Sequence, residues 1–357
     1  MPPETRTKSE TPADSASSRR SRASGRVTLS DVAQAAGVSP MTVSRALRGE
    51  RRVAAALVDK VREVAASLGY VPDLAARALA SQKSTQVLVL VPMLSNTLFV
   101  EVLEAVHKVL FAQGYHMLIG VTHYDPAEEE QLLRAYLPMR PAGLLLTGFD
   151  HSEESRKLLA ANPVPRVHLM ELREPGTGPD CYSVGFSQIA AGAEMTRHLL
   201  DKGYRRIAFC GAQLDARVMQ RLEGYRQVLK QAGLYDQSLE ILNPERSSLA
   251  LGARQFETLL KARTTVDAIF FCNDDIAQGA LLEANRMGVK VPQQVAIAGF
   301  NDLPGSDQMV PPLTTIHTPR DEVGRKAASM LLQLLAGDTV REASVDLGFR
   351  LVPRAST

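Results

Sequence analysis

The chain has 357 residues, 45% of them hydrophobic and 22% charged, with 41 Lys or Arg against 39 Asp or Glu and a net charge of +2. That composition is ordinary for a soluble globular protein, and no apolar run approaches the roughly 18 residues that a membrane span needs. The length suits one small domain plus a body of one or two lobes. The first 25 residues are rich in Ser, Thr, Pro and Arg and lack an apolar stretch, so they read as a disordered tail and not a secretory signal. The cysteines, Cys181, Cys210 and Cys272, are odd in number and widely spaced. They suit a reducing cytoplasm with buried thiols, and neither a disulfide framework nor a metal site.

The first ordered stretch is Arg26 to Leu47, RVTLSDVAQAAGVSPMTVSRAL. Thr28 can cap a helix, with Asp31 three residues later in a capping-box spacing. Leu29, Val32, Ala33 and Ala36 fall on one helical face. Gly37 stops that helix, since glycine takes a left-handed backbone at little cost. Ser39 caps a second helix, and Pro40 takes its first position, where a missing N–H costs nothing. Over Pro40 to Leu47 the spacing turns Val43, Ala46 and Leu47 inward and leaves Pro40, Met41, Thr42, Ser44 and Arg45 outward. Two short helices joined by a tight turn form a helix-turn-helix, and the second is sized for a major groove. The flanks agree: from Arg26 to Lys83 nine Lys or Arg face five Asp or Glu, a positive head on a near-neutral body.

A third helix is expected from Ala54 to about Leu68, with Val53, Leu57, Val61, Val64 and Leu68 on its apolar face and Gly69 at its end. Tyr70-Val71-Pro72 is extended. Residues 73–80, DLAARALA, favour helix but are too short to be stable alone. They read as a hinge helix that forms only with support, followed by a polar connector to 85.

From Gln86 the pattern changes to apolar strands alternating with helices. Strands are expected at 86–92, 116–121, 142–147 and 166–170, with helices at 99–113 and 128–137 between them. The same grammar restarts with helices at 188–202, 219–232 and 275–287 and strands at 206–210, 268–272 and 295–299. This βαβ order implies parallel, doubly wound sheets in two Rossmann-like lobes. A last helix, from about Arg320 to Leu335, is expected to return to the first lobe. Ligands bind at the carboxyl ends of such strands. Those ends carry Ser95, Asn96 and Phe99, then His123 and Tyr124, Glu171, Asp215 with Arg217 and Arg221, Asn273, and Asn301. Two arginines four apart at a helix start oppose the helix dipole unless an anion sits there, and a carboxylate is the natural guest. Arg217 is expected to pair with it, with Arg221 as second donor. The chain has no Trp, the residue most useful for stacking on a sugar ring, so an open-chain polyhydroxy acid fits better than a pyranoside.

VTLSDVAQAAGVSPMTVSRAL, YVP, the short hinge segment, CNDDIAQGAL and PPLTTI together closely resemble the LacI/GalR family of bacterial repressors, over about Arg26 to the C-terminus. PMLSNTLFVEVL, THYDPAEEEQLL, GAQLDARVMQ and DLGF are similar to its gluconate-utilisation branch. The resemblance implies a disordered tail (1–25), a helix-turn-helix domain (26–72), a hinge helix and linker (73–85), and a two-lobed, periplasmic-binding-protein-like effector and dimerisation body (86–357). It implies that Pro40, Met41 and Arg45 face base edges, with Arg45 suited to guanine. Thr28, Ser39, Thr42 and Ser44 would meet phosphates, and Leu79 would wedge between base steps in the minor groove. The implied protein is a cytoplasmic homodimer without cofactor or metal that binds a pseudo-palindromic operator and is released by a sugar-acid inducer. Helices near 99–113 and 275–287 would form the dimer faces, and no leucine heptad follows the core. Within the family the alternative effectors are 2-ketogluconate, a phosphorylated sugar acid or a nucleobase co-repressor. An enzyme is disfavoured, because GxGxxG, a P-loop and GxSxG are all absent.

Overall fold

A computed structural model describes residues 27–47, 53–71, 84–95, 97–174, 178, 181–262 and 265–357. The expected tail, the hinge segment with Leu79, and Asn96 lie outside the described residues. The chain divides after position 82 into two compact units, a head and a body.

In the head, α1 (Leu29–Ala36), α2 (Pro40–Leu47) and α3 (Ala55–Ser67) enclose a core of Val32, Ala33, Ala36, Val43, Ala46, Val61 and Ala65. The start of α1 is a reciprocal cap: the Asp31 amide donates to Thr28 Oγ1 at 3.3 Å, and the Thr28 amide donates to Asp31 Oδ2 at 2.7 Å. Those bonds hold the Asp31 carboxyl below its ordinary pKa, because Thr28 stabilises the charged form. Gly37 ends α1 at φ 68°, the left-handed turn expected of it. Leu68 departs from the expected core face: α3 stops at Ser67 and Leu68 is 38% exposed.

The body contains two parallel sheets. The first has strand order β11-β5-β4-β3-β1-β2, from β1 (Gln86–Val91), β2 (His116–Val121), β3 (Gly143–Thr147), β4 (Arg166–Leu169), β5 (Tyr182–Gly185) and β11 (Ser344–Asp346). Its helices are α4 (Thr97–Ala112), α5 (Pro126–Tyr136), α6 (Glu153–Ala161) and α11 (Arg320–Ala336). Side chains alternate across β1. Val87, Val89 and Val91 join the core of α4 and α11, while Leu88 and Leu90 join Leu133 of α5 and Leu159 of α6. An unbroken apolar strand therefore has two helical covers, as a doubly wound sheet requires.

The second sheet has order β7-β6-β8-β9, from β6 (Ile207–Ala212), β7 (Glu240–Asn243), β8 (Ala268–Phe271) and β9 (Ala296–Ala298). Its helices are α7 (Gln188–Asp201), α8 (Ala216–Gln231), α9 (Leu249–Lys261) and α10 (Asp274–Met287). The chain passes between lobes three times: after β5, after β10 (Thr315–His317), and between β11 and β12 (Arg350–Val352), where β12 pairs antiparallel to β10. Phe186, Phe300 and Phe349 meet at these passages, with ring centroids 6.5 and 6.4 Å apart. The last helix, α11, packs along α4 in the first lobe, as expected.

Candidate functional site

On the head, Ser39 Oγ accepts the Thr42 amide at 3.1 Å and starts α2. Pro40, Met41 and Arg45 are exposed, Met41 by 59%, and Thr42 and Ser44 are half-buried. The outer face of α2 thus offers one guanidinium and a thioether to whatever it meets. Thr28 and Ser39 already serve as caps, so any phosphate contact they make must share those hydroxyls.

In the body, the strand ends converge on one cavity between the two lobes. Phe99, Tyr124, Asp215, Arg217, Arg221, Asn273 and Asn301 line it, and Leu98 and Met170 complete the wall. Leu98 and Met170 adjoin Phe99 and Glu171, so sequence position alone put them within reach. Three expected residues stand elsewhere. Ser95 is exposed, with its hydroxyl 3.6 Å from Met93 Sδ. His123 takes a left-handed backbone, φ 48°, that turns its ring outward to pair with Glu128 at 2.6 Å. Glu171 is buried beside the cavity and faces Arg217 at 3.3 Å.

The two arginines differ. Arg217 is ion-paired with Glu171 at 3.3 Å and Asp215 at 3.2 Å. Burial alone would lower its pKa, but Asp215 and Glu171 outweigh that and the shift is upward. The anion that the dipole argument demands at Arg217 is therefore supplied by the protein itself. Arg221 is 4% exposed and has only neutral acceptors: Gln188 Oε1 at 2.9 Å, the Cys272 carbonyl at 2.7 Å and Asn273 Oδ1 at 2.8 Å. Its guanidinium lies 3.9 Å above the Phe300 ring. Burial lowers its pKa, and no carboxylate among the described residues lies within ion-pairing distance. Arg221 is thus the cavity arginine without a contact ion pair among the described residues, with Asp215 favouring its charge from farther off, whereas Arg217, expected from sequence to be the first donor, is already paired twice.

Asn301 supplies the complementary group. It is 1% exposed and held at φ 111°, a backbone that costs about 1–3 kcal/mol and persists only where its surroundings impose it. Its Nδ2 donates to Asn273 Oδ1 at 3.1 Å, and its Oδ1 is buried without a partner. A buried acceptor of this kind costs about 1–3 kcal/mol until something donates to it.

Gly148 lies behind the Glu171–Arg217 pair. A Cβ there would lie 2.7 Å from Glu171 Oε1 and 2.9 Å from Arg217 Nη1, so the chain must pass close. The Gly148 carbonyl meets His168 Nδ1 at 2.8 Å, and Phe149 stacks on that ring at 4.2 Å.

Matches to known proteins follow this geometry. Residues 28–73 match the bacterial regulatory proteins of the lacI family, and residues 196–357 match a periplasmic binding protein-like domain. The HTH-type transcriptional regulator GntR of Pseudomonas aeruginosa is 55% identical over 339 residues, covering 95% of this chain and 98% of that one. The chain belongs to the LacI family.

Among solved structures, a LacI-family transcriptional regulator from Silicibacter pomeroyi is 36% identical, with a TM-score of 0.85 over 92% of this chain and 99% of that one. A lac repressor dimer bound to operator and an anti-inducer is 25% identical, with a TM-score of 0.79 over 93% of this chain and 99% of that one. This LacI-family chain is accordingly a DNA-binding transcriptional regulator and not an enzyme. Among its described residues, no helix is long and apolar enough to cross a membrane.

His168 gives the body of this LacI-family protein a pH dependence. Burial pushes its pKa down from 6.5 to about 4, chiefly by desolvation of the charged ring. The unfolded chain then binds more protons between those values. The His168 contribution to stability is full above pH 6.5 and is lost as pH falls toward 4. In chemical denaturation across that window, His168→Gln should show a shallower fall in stability than the parent. Equal slopes would mean that other groups dominate.

Proposed function

We propose that the protein is a cytoplasmic, homodimeric repressor of sugar-acid catabolism genes, released from a pseudo-palindromic operator when gluconate or a close relative binds the cleft. The observation that carries the effector reading is the presence in one cavity of Arg221, a buried cation with no contact ion pair among the described residues, and Asn301 Oδ1, a buried acceptor without a donor. A carboxylate answers the first and a hydroxyl the second. A sugar acid has both on one short chain, whereas a neutral polyol offers nothing to Arg221. The head supports the operator reading through the exposed Arg45, Met41 and Pro40 on α2. The dimer reading draws support from apolar side chains exposed on the two expected faces. Val100 (45%) and Phe111 (58%) stand on α4, and Leu282 (54%) and Met287 (38%) on α10.

Effector closes the lobes and alters how the two first lobes of a dimer meet, so that the heads lose the spacing an operator demands. Moving such a balance from 1:99 to 99:1 takes about 5.5 kcal/mol of differential affinity. Titrating the operator complex with gluconate, 2-ketogluconate, 6-phosphogluconate and hypoxanthine tests this. Release by a sugar acid at the lowest concentration is expected. Tighter operator binding with hypoxanthine would replace the inducer reading with a co-repressor one.

Arg45 is proposed as a base reader. Arg45→Ala should weaken operator binding by about 1–3 kcal/mol and relax preference at one position in each half-site. Should the salt dependence change while sequence preference stays, Arg45 holds a phosphate instead.

A further inference from the structure

Asn301 faces the cavity with its side chain, but its carbonyl is held from behind. Arg320, the first residue of α11, is 6% exposed. Its Nη1 donates to the Asn301 carbonyl and its Nη2 to the Asp302 carbonyl at 3.2 Å. The same guanidinium grips Glu101 on α4, Nε to Oε2 at 2.7 Å and Nη2 to Oε1 at 3.3 Å. One rigid planar fork thus joins the second-lobe loop that carries a cavity residue to the first-lobe helix that bears Val100 and Phe111. α4 and α11 are packed to backbone contact: a Cβ on Gly324 would lie 2.6 Å from the Val102 carbonyl oxygen. Neither helix slips past the other without moving it.

We propose that Arg320 is the positioning residue that couples the effector cavity to α4. The link itself rests on these contacts, and only the ligand used in one arm of its test rests on the sugar-acid reading. A donor arriving at Asn301 Oδ1 reorients a residue already strained at φ 111°. Its carbonyl turns with it. Arg320 is buried and cannot surrender an acceptor without the cost of an unsatisfied donor, so the guanidinium follows the carbonyl. Glu101, held by two bonds, transmits the shift to α4 and to the face through which two copies would meet.

The full-length Arg320→Gln, Glu101→Gln and double variants test this by two readouts. The first is operator affinity by anisotropy with and without saturating gluconate. Each single variant should shrink the ratio of the two affinities by about fivefold or more, and the double variant no further. The second needs no effector. Glu101 has no bond to the loop after β9, yet Glu101→Gln should speed amide exchange at Asn301–Leu303 by about threefold or more in the unliganded protein. Unchanged ratios in both single variants, additive losses in the double, or parental exchange at Asn301–Leu303 in Glu101→Gln would each overturn the link. A parent insensitive to gluconate would sink the sugar-acid reading alone, and the exchange measurement would still decide the role of Arg320.

Discussion

Arg221→Met should bind operator as tightly as the parent and stay bound when gluconate is added. The methionine keeps most of the side-chain length above Phe300 and removes the charge. On the proposed sugar-acid reading, a carboxylate entering the cavity meets a guanidinium that is already buried, already oriented by Gln188, Cys272 and Asn273, and without a contact ion pair among the described residues. Little reorganisation is then needed on binding, and most of the attraction appears as affinity. Removing one partner of such a pair costs on the order of 2–5 kcal/mol. Calorimetry should therefore show gluconate affinity down by about 30-fold or more, at tenfold per 1.4 kcal/mol. Arg217→Met is expected to act differently. It strands Glu171 and Asp215 without their cation, so it should lower the melting temperature as well as the affinity. Should Arg221→Met bind gluconate normally, the carboxylate docks elsewhere and the ranking of the two arginines is wrong.

Gly224→Ala should be among the most damaging single-methyl additions in the body. α7 and α8 cross at a reciprocal pair of glycines. A Cβ on Gly224 would lie 2.1 Å from the Ile189 carbonyl oxygen, and one on Gly192 would lie 2.3 Å from the Arg221 carbonyl oxygen. These neighbours are backbone, so no rotamer change relieves the clash and the helices must separate. Overpacking of this kind costs about 1–3 kcal/mol, a fall of several degrees at about 2–4 °C per kcal/mol for a unit near this size. Gly192→Ala presses directly on the backbone of Arg221, so it should weaken gluconate binding in addition. If both variants melt with the parent and bind gluconate normally, the helices have room that the structure denies them.

How much of this was legible in the sequence depends on how local each cause is. Caps at Thr28 and Ser39 and the left-handed Gly37 act within four residues, so the head could be read element by element. β1 could be read because burial on both faces leaves an unbroken apolar run. β7 could not: it is a half-exposed edge strand, EILN, with no pattern of its own. α9 buries Leu251, Phe256 and Leu259 and lies within 233–267, where the sequence pattern predicts no element. β11 and β12 are three-residue strands whose identity comes only from the partners they reach. The cavity divides the same way. The topology rule gathered Phe99, Tyr124, Asp215, Arg217, Arg221, Asn273 and Asn301 at strand ends. It could not tell that Glu171, 46 positions before Arg217, would pair with that arginine, while Arg221 would meet only neutral acceptors at contact distance. Nor could it show that the backbone of His123 would swing the ring toward Glu128.

The three passages between lobes bear on the order in which the molecule can be built. Most of the first sheet is in hand once β5 has been made, but its edge strand β11 and its covering helix α11 arrive only with residues 320–346. The second lobe waits longer still for its last support. Ser356 accepts the Ile297 amide at its carbonyl and the Thr314 amide, at 2.8 Å, at its hydroxyl. During synthesis the head can close on its own local contacts while neither lobe of the body is yet complete. Domains made early usually fold early, so the DNA-reading part of the nascent chain should mature well before the part that senses a ligand. For that interval the cell would hold a head without a governor, still tethered to the ribosome and still without a second copy to pair with.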